Sequence, residues 1–150
     1  MDIEIKILTS DDTNCFIELI NIFKEVFKMD DFEMPNSNYL RNLLNKPDFK
    51  VLVTQHNDRV IGGLTVYVLH SYFSARPIAY IYDVGVTTNY QRQGVGRKMI
   101  SHLIKYCEEN GFEDAYVEAE NDDIEAVNFY KTTSISSMLQ ATHFTYSFDK

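Results

Sequence analysis

The residues with the clearest chemistry lie in one stretch: Tyr80-Ile81-Tyr82-Asp83-Val84-Gly85-Val86, then Gln91-Arg92-Gln93-Gly94-Val95-Gly96-Arg97. An apolar, strand-like run ends in a short polar loop. The loop passes through two glycines into an amphipathic segment. A helix starting there leaves its first N–H groups without intrahelical acceptors, and its dipole adds partial positive charge at that end. Amides so arranged form a seat for phosphate. Gly94 and Gly96 remove side chains that would keep an anion off the backbone, while Gln91, Arg92 and Arg97 add polar and cationic groups. The expected phosphate seat is the main chain of 92–97.

Carboxylates supply the second kind of chemistry. Asp83 sits inside an apolar run, where a charge is costly unless paired or solvated. Glu118 and Glu120 are two residues apart in a later strand-like run, so they share a face. Such groups accept a proton and attract a cation. Gly85 interrupts the apolar run around Asp83, which suggests a bulge or a close ligand approach. A bulge there would splay this strand from its neighbour. Main-chain groups of Val84, Gly85 and Val86 would then be free to pair with an extended ligand or to hold an oxyanion.

The elements that position these residues follow from periodicity. Ile3, Ile5 and Ile7 alternate with polar residues as a first strand. Thr9-Ser10-Asp11-Asp12 caps a helix over residues 12–28, whose apolar face is Phe16, Leu19, Ile20, Phe23, Val26 and Phe27. Asn36 or Ser37 caps a shorter helix closed by Pro47. Phe49 to Gln55 and Val60 to Leu69 form a hairpin, with Gly62-Gly63 marking a bulge or close approach. The central strand covers residues 78–87. The helix after Gly94 carries Val95, Met99, Ile100, Leu103, Ile104 and Cys107 on one face and stops at Asn110-Gly111. Phe112 to Glu120 is a further strand. Asn121-Asp122-Asp123 caps another helix, and Met138 to Phe148 holds one strand or two. The fold class is α+β, a three-layer α/β arrangement: a mixed central sheet of six to seven strands with helices on both faces. Residues 1–150 are expected to form a single domain.

The chain of 150 residues is 45% hydrophobic and has no apolar run of the length a membrane span needs. Its net charge of −8 would repel a polyanion over most of the surface, which disfavours nucleic acid and favours a cationic small molecule. Charge of this sign also serves solubility and does not by itself choose. Cys15 and Cys107 lie far apart and read as buried thiols. The four histidines lack metal-ligand spacing, so no metal is expected. The start lacks a secretory pattern, and a cytoplasmic setting is expected.

The segments above resemble motif A of the GCN5-related N-acetyltransferases, whose (Gln/Arg)-x-x-Gly-x-Gly signature stands here as residues 91–96. Within that superfamily the chain is similar to the small, type I aminoglycoside 3-N-acetyltransferases. The matching strings are Val60-Ile61-Gly62-Gly63-Leu64-Thr65-Val66-Tyr67, Tyr80 to Val84, Tyr116-Val117-Glu118-Ala119-Glu120 and Ala126-Val127-Asn128-Phe129-Tyr130. Glu25-Val26-Phe27 and His143-Phe144 also fit. The resemblance departs after Tyr130, where Lys131-Thr132-Thr133-Ser134-Ile135 replaces a glycine turn.

The resemblance implies direct attack of an amine on acetyl-CoA. The cofactor is held by Val84, Gly85, Val86, Gln91, Arg92, Gln93, Gly94, Val95, Gly96, Arg97 and Asn128. It implies Tyr130 as proton donor to the leaving thiolate. For the base or amine-binding role Glu120 ranks first, Asp83 second and Glu118 third. Asp30, Asp31, Glu33, Asp122 and Asp123 could line the acceptor cleft, although a solvated loop is the better reading of them. The acceptor is expected to be a cationic small molecule such as an aminoglycoside. The alternatives are a polyamine, a protein amine, or a non-catalytic acyl-CoA-binding regulatory module. Pairing of two copies as a homodimer is also implied by the resemblance alone.

Overall fold

Alternating apolar residues lay down the strands, and helices with one apolar face cover them. The computed structural model describes residues 1–149. Its elements are β1 (Glu4–Ile7), α1 (Thr13–Val26), α2 (Ser37–Leu44), β2 (Phe49–His56), β3 (Arg59–Leu69), β4 (Ile78–Val86), α3 (Val95–Glu109), β5 (Asp114–Val117) and α4 (Ile124–Lys131). Short 3-10 turns precede α1 at Ser10–Asp12 and α3 at Thr88–Tyr90. The strands form one sheet in the order β1-β2-β3-β4-β5, antiparallel except for the parallel β4–β5 pair. The chain is arranged as two compact units, Met1–Glu118 with the whole sheet, and the segment from Ala119 onward with α4.

Helix starts follow the capping residues. Thr9 and Asp12 form a reciprocal capping box, with the Thr9 amide donating to Asp12 at 2.8 Å. That bond, with help from Lys6, holds the Asp12 carboxyl below its usual range against the opposing effect of burial. Asn36 caps α2 by accepting from the Tyr39 amide at 2.9 Å. The apolar faces of α1 and α2 pack with Val51 and Val53 of β2 as one core cluster. Ile5 pairs with Thr54, the neighbour of Val53, so it points to the opposite face, where it meets α3 in a shared groove. Helices therefore cover both faces of the sheet.

Several expectations are corrected. The sheet has five strands rather than six to seven. β5 is four residues long, and no strand occupies 138–148 among the described residues. Phe144, Tyr146 and Phe148 do alternate there, but they stand exposed. An alternating pattern makes a strand only where another edge accepts its backbone bonds. Gly62-Gly63 combines both expected devices. The β2–β3 register slips between Thr54 and Gln55, and a Cβ on Gly63 would overlap the Leu52 carbonyl and fall 2.8 Å from the Leu19 methyls.

The expected bulge at Gly85 is not there. Gly85 pairs in register with Gly63, and a Cβ on it would meet Phe23 of α1 at 3.0 Å, so its bare backbone makes room for α1. The bulge lies just before it. Leu64 pairs with Val84 and Val66 with Ile81, so Tyr82 and Asp83 together stand opposite Thr65.

Candidate active site

The loop leaving β4 is tied down by its own side chains. The Gln91 amide donates to the Val86 carbonyl at 2.8 Å, and Gln93 donates to the Asn89 carbonyl at 3.0 Å. Thr87 and Thr88 hydroxyls donate to the Glu25 carboxylate of α1 at 3.3 and 3.0 Å. Arg92 (φ 62°) and Gly94 (φ 84°) adopt left-handed backbone, which turns the chain sharply into α3. The Gln91 and Gln93 side chains thus brace the loop. The sequence did not single out Glu25 as part of this brace.

Gly94 is the N-cap of α3 and supplies no capping side chain. The first bond of the helix runs from the Lys98 amide to the Gly94 carbonyl at 3.2 Å. The amides of Val95, Gly96 and Arg97 precede that bond and have no acceptor within the helix. Val95 is buried and anchors the turn, whereas Gly94 and Arg97 are exposed. A Cβ placed on Gly94 would meet nothing within 4 Å, so the helix start is open. From it a groove of about 610 Å³ follows α3, walled by Ile3 and Ile5 and carrying Arg97, Lys98, His102 and Lys105. In a chain of net charge −8, Arg97 and Lys98 place positive charge in the first turn of α3, the end of a helix where an anion is favoured, and Lys105 continues it along the groove.

The strand that feeds this helix opens before it ends. β4 pairs with β5 only from Ile78 to Ile81, yet β4 continues to Val86. The Thr87 amide donates to the Ile61 carbonyl, so alternation along the ladder turns the main-chain groups of Val84 and Val86 away from β3. They face the side where β5 no longer pairs. With the Val86 carbonyl taken by Gln91, the Val84 N–H and C=O and the Val86 N–H remain for an extended partner. The splay expected from the sequence is present, produced by the bulge at Tyr82–Asp83 and by the short β5.

Asp83 is half-buried on that bulge. It accepts from the Thr65 hydroxyl at 2.8 Å, and its own amide donates back to that hydroxyl at 3.2 Å. Burial pushes its carboxyl above the usual range, partly offset by the Thr65 bond. A carboxylate so raised is better matched to proton transfer near neutrality. Glu118 accepts from the Tyr80 hydroxyl at 2.8 Å. Burial, then this bond, raises the Tyr80 hydroxyl, which stays protonated. Asp31 lies exposed in the turn after α1.

The sequence did not single out the tyrosines. Phe49, Tyr67, Tyr80 and Tyr116 are successive register partners across β2, β3, β4 and β5. Tyr80 stacks on Tyr116 at 4.6 Å, while Tyr82 meets Tyr80 and Tyr67 edge-on at 5.6 and 5.4 Å. The one local signal was the pair Tyr80 and Tyr82 at period two; Tyr67 and Tyr116 join them only through strand pairing.

The second unit is described by itself. Asp123 caps α4 by accepting from the Ala126 amide at 3.2 Å, which gives its carboxylate a structural duty. Glu120, Asp122 and Asn128 are exposed. The Tyr130 hydroxyl is pushed up to about 12, by burial and secondarily by Asp123, and its ring meets Phe129 edge-on at 5.0 Å. The missing glycine turn has a local substitute. Thr132 and Thr133 hydroxyls donate to the Phe129 and Tyr130 carbonyls, each at 2.6 Å, and satisfy the helix end.

Among the described residues no group of three or more histidine, cysteine, aspartate or glutamate side chains is arranged to hold a metal, and no helix is long and apolar enough to cross a membrane. Cys15 and Cys107 are free thiols. Burial raises both, Cys107 to about 11.

The model of the acetyltransferase (GNAT) family matches residues 16–133. A solved aminoglycoside acetyltransferase, meta-AAC0020 from an uncultured soil metagenomic sample, is 41% identical with a TM-score of 0.96, over 98% of this chain and 97% of that one. It has been solved in complex with trehalose and with sisomicin. A second soil metagenomic aminoglycoside acetyltransferase, HMB0005, shares the fold at a TM-score of 0.87 and 24% identity, over 98% of this chain and all of that one. N-alpha-acetyltransferase 50 of Danio rerio is 33% identical over 76 residues, 50% of this chain and 44% of that protein, so the chain matches less than half the length of this curated relative. With a splayed sheet, an uncapped glycine-led helix and a family match across most of its length, the chain belongs to the acetyltransferase (GNAT) family.

Proposed function

We propose that the protein transfers the acetyl group of acetyl-CoA to a primary amine of a cationic small molecule, an aminoglycoside being the best-supported acceptor. The observation that carries this is the end of β4. One strand presents a half-buried carboxylate, outward main-chain groups beyond the reach of β5, and then the open start of α3. The residues fit the cofactor. Three acceptorless amides beside cationic side chains suit a diphosphate, and the Val84 and Val86 edge suits an extended amide-bearing arm. Acetyl-CoA, when bound, supplies a thioester carbonyl as electrophile.

The protein's own groups do the rest. Asp83, or Glu120 through water, takes the proton from the ammonium so that the nitrogen lone pair is free. The Val84 and Val86 amides steady the carbonyl oxygen as charge gathers on it. A C–N bond forms, the nitrogen sheds its surplus proton to water, the C–S bond breaks, and Tyr130, protonated at neutral pH, gives its proton to the leaving sulfur and regains one from solvent. Glu118, Asp31, Asp122 and Asp123 attract the acceptor. The resemblance to a sisomicin-bound acetyltransferase at 41% identity supports the acceptor class.

The test is thiol release from acetyl-CoA in the presence of an amine panel containing sisomicin, spermidine and a lysine-bearing peptide. We expect release above background with sisomicin. No release with any amine would overturn the reading, and release with the peptide alone would transfer it to protein amines.

A further inference from the structure

We propose that the tyrosine row on the sheet, centred on Tyr82 and Tyr80, is the surface that selects the acceptor, and that it favours amines carried on rings over linear polyamines. The proposal rests on the acetyltransferase reading and adds the residues that give it specificity. Tyr82, Tyr116 and Tyr67 are 58%, 41% and 40% exposed, although Tyr67 and Tyr82 follow the buried residues Val66 and Ile81. A contiguous apolar surface left open in this way marks a binding site more often than a packing remnant. It lies on the face that carries α1 and α2, since Tyr67 meets the core residue Phe49 at 5.3 Å.

The row is edged by two carboxylates, Asp83 and Glu118. Asp83 lies close enough to raise the Tyr67 hydroxyl, as do Tyr82 and Tyr39 of α2, after the larger effect of burial. Glu118 is held by the Tyr80 hydroxyl and weighs on Tyr116. Aromatic faces pack against the flat faces of a ring, and the flanking carboxylates attract ammonium groups by charge. Rigid rings, having few rotatable bonds, provide broad contact at low entropic cost. A polyamino sugar offers both partners at once, its ring faces to the tyrosines and its ammonium groups to Asp83 and Glu118. A linear polyamine offers only the second. Tyr80 is the positioning residue, since its hydroxyl fixes Glu118 at the border of the row.

The experiment uses the full chain with Tyr82→Ala and Tyr80→Phe. For Tyr82→Ala we expect the sisomicin KM to rise about tenfold, as loss of a packed ring-face contact implies. The KM values for acetyl-CoA and spermidine should stay close to the parent's. Tyr80→Phe keeps the ring and should raise the sisomicin KM by about threefold, with kcat little changed, as expected for lost binding. Binding is read separately. The chain has ten Tyr and no Trp, so its intrinsic fluorescence comes from tyrosine, and sisomicin should perturb it in the parent and less in Tyr82→Ala. Variant integrity is checked by unchanged coenzyme A binding. Parental binding of sisomicin without turnover would end the acetyltransfer reading for that amine and leave the row as its binding surface. A parent that does not bind sisomicin, variants with parental sisomicin KM, or equal losses for sisomicin and spermidine would overturn the proposal.

Discussion

Asp83→Asn is expected to lower kcat/KM for the amine by about a hundredfold or more, the usual effect of removing a general base. Coenzyme A affinity should stay within about twofold, because the side chain is not part of the phosphate seat. The fold should tolerate the change, since the asparagine oxygen can still accept from the Thr65 hydroxyl that now bonds Asp83. The pH profile gives the sharper reading. Burial raises the Asp83 carboxyl above the ordinary carboxylate range, so its basic form is lost as pH falls through that higher value. Parental kcat/KM should therefore drop on acidification sooner than an unshifted carboxylate would allow. This limb should be missing from the residual activity of Asp83→Asn. If Glu120 is the base instead, Glu120→Gln will show the loss and Asp83→Asn will not.

Tyr130→Phe should lower kcat by about a hundredfold or more, the range for loss of a positioned proton donor, with little change in the KM of either substrate. The argument is one of protonation state. With its hydroxyl pushed up to about 12 by burial and by Asp123, Tyr130 carries its proton throughout the neutral range. The loss should accordingly be nearly constant between pH 6 and 9, where about the same protonated fraction persists. The phenylalanine ring can keep the edge-on contact with Phe129, so thermal unfolding should change little. Single-turnover measurements separate the acetyl-transfer step from product release. An unchanged transfer rate would remove Tyr130 from the chemistry.

What could be read in the residues differed from element to element. The α3 start was legible because two glycines, flanking cations and a following apolar stripe are all local signals. The left-handed Gly94 and the acceptorless amides follow directly from them. The opening of the sheet was anticipated, but its cause was misplaced. A glycine in a strand is ambiguous between a bulge and a close contact, and Gly85 is bare because Phe23 of α1 lies against it. The actual bulge at Tyr82–Asp83 depends on the register with β3, which no local pattern specifies. The tyrosine row was missed for the same reason, because Tyr67, Tyr80 and Tyr116 become neighbours only through long-range pairing. In the tail, alternation predicted strands where the described residues form none, since pairing partners are a tertiary property.

The central claim is that the amides opening α3 hold the cofactor's diphosphate, and amide-resolved NMR during a coenzyme A titration tests it most directly. The account predicts saturable shifts at Gly94, Val95, Gly96 and Arg97, larger than those elsewhere in α3. Coenzyme A binding that moves other resonances and leaves these four in place would contradict it.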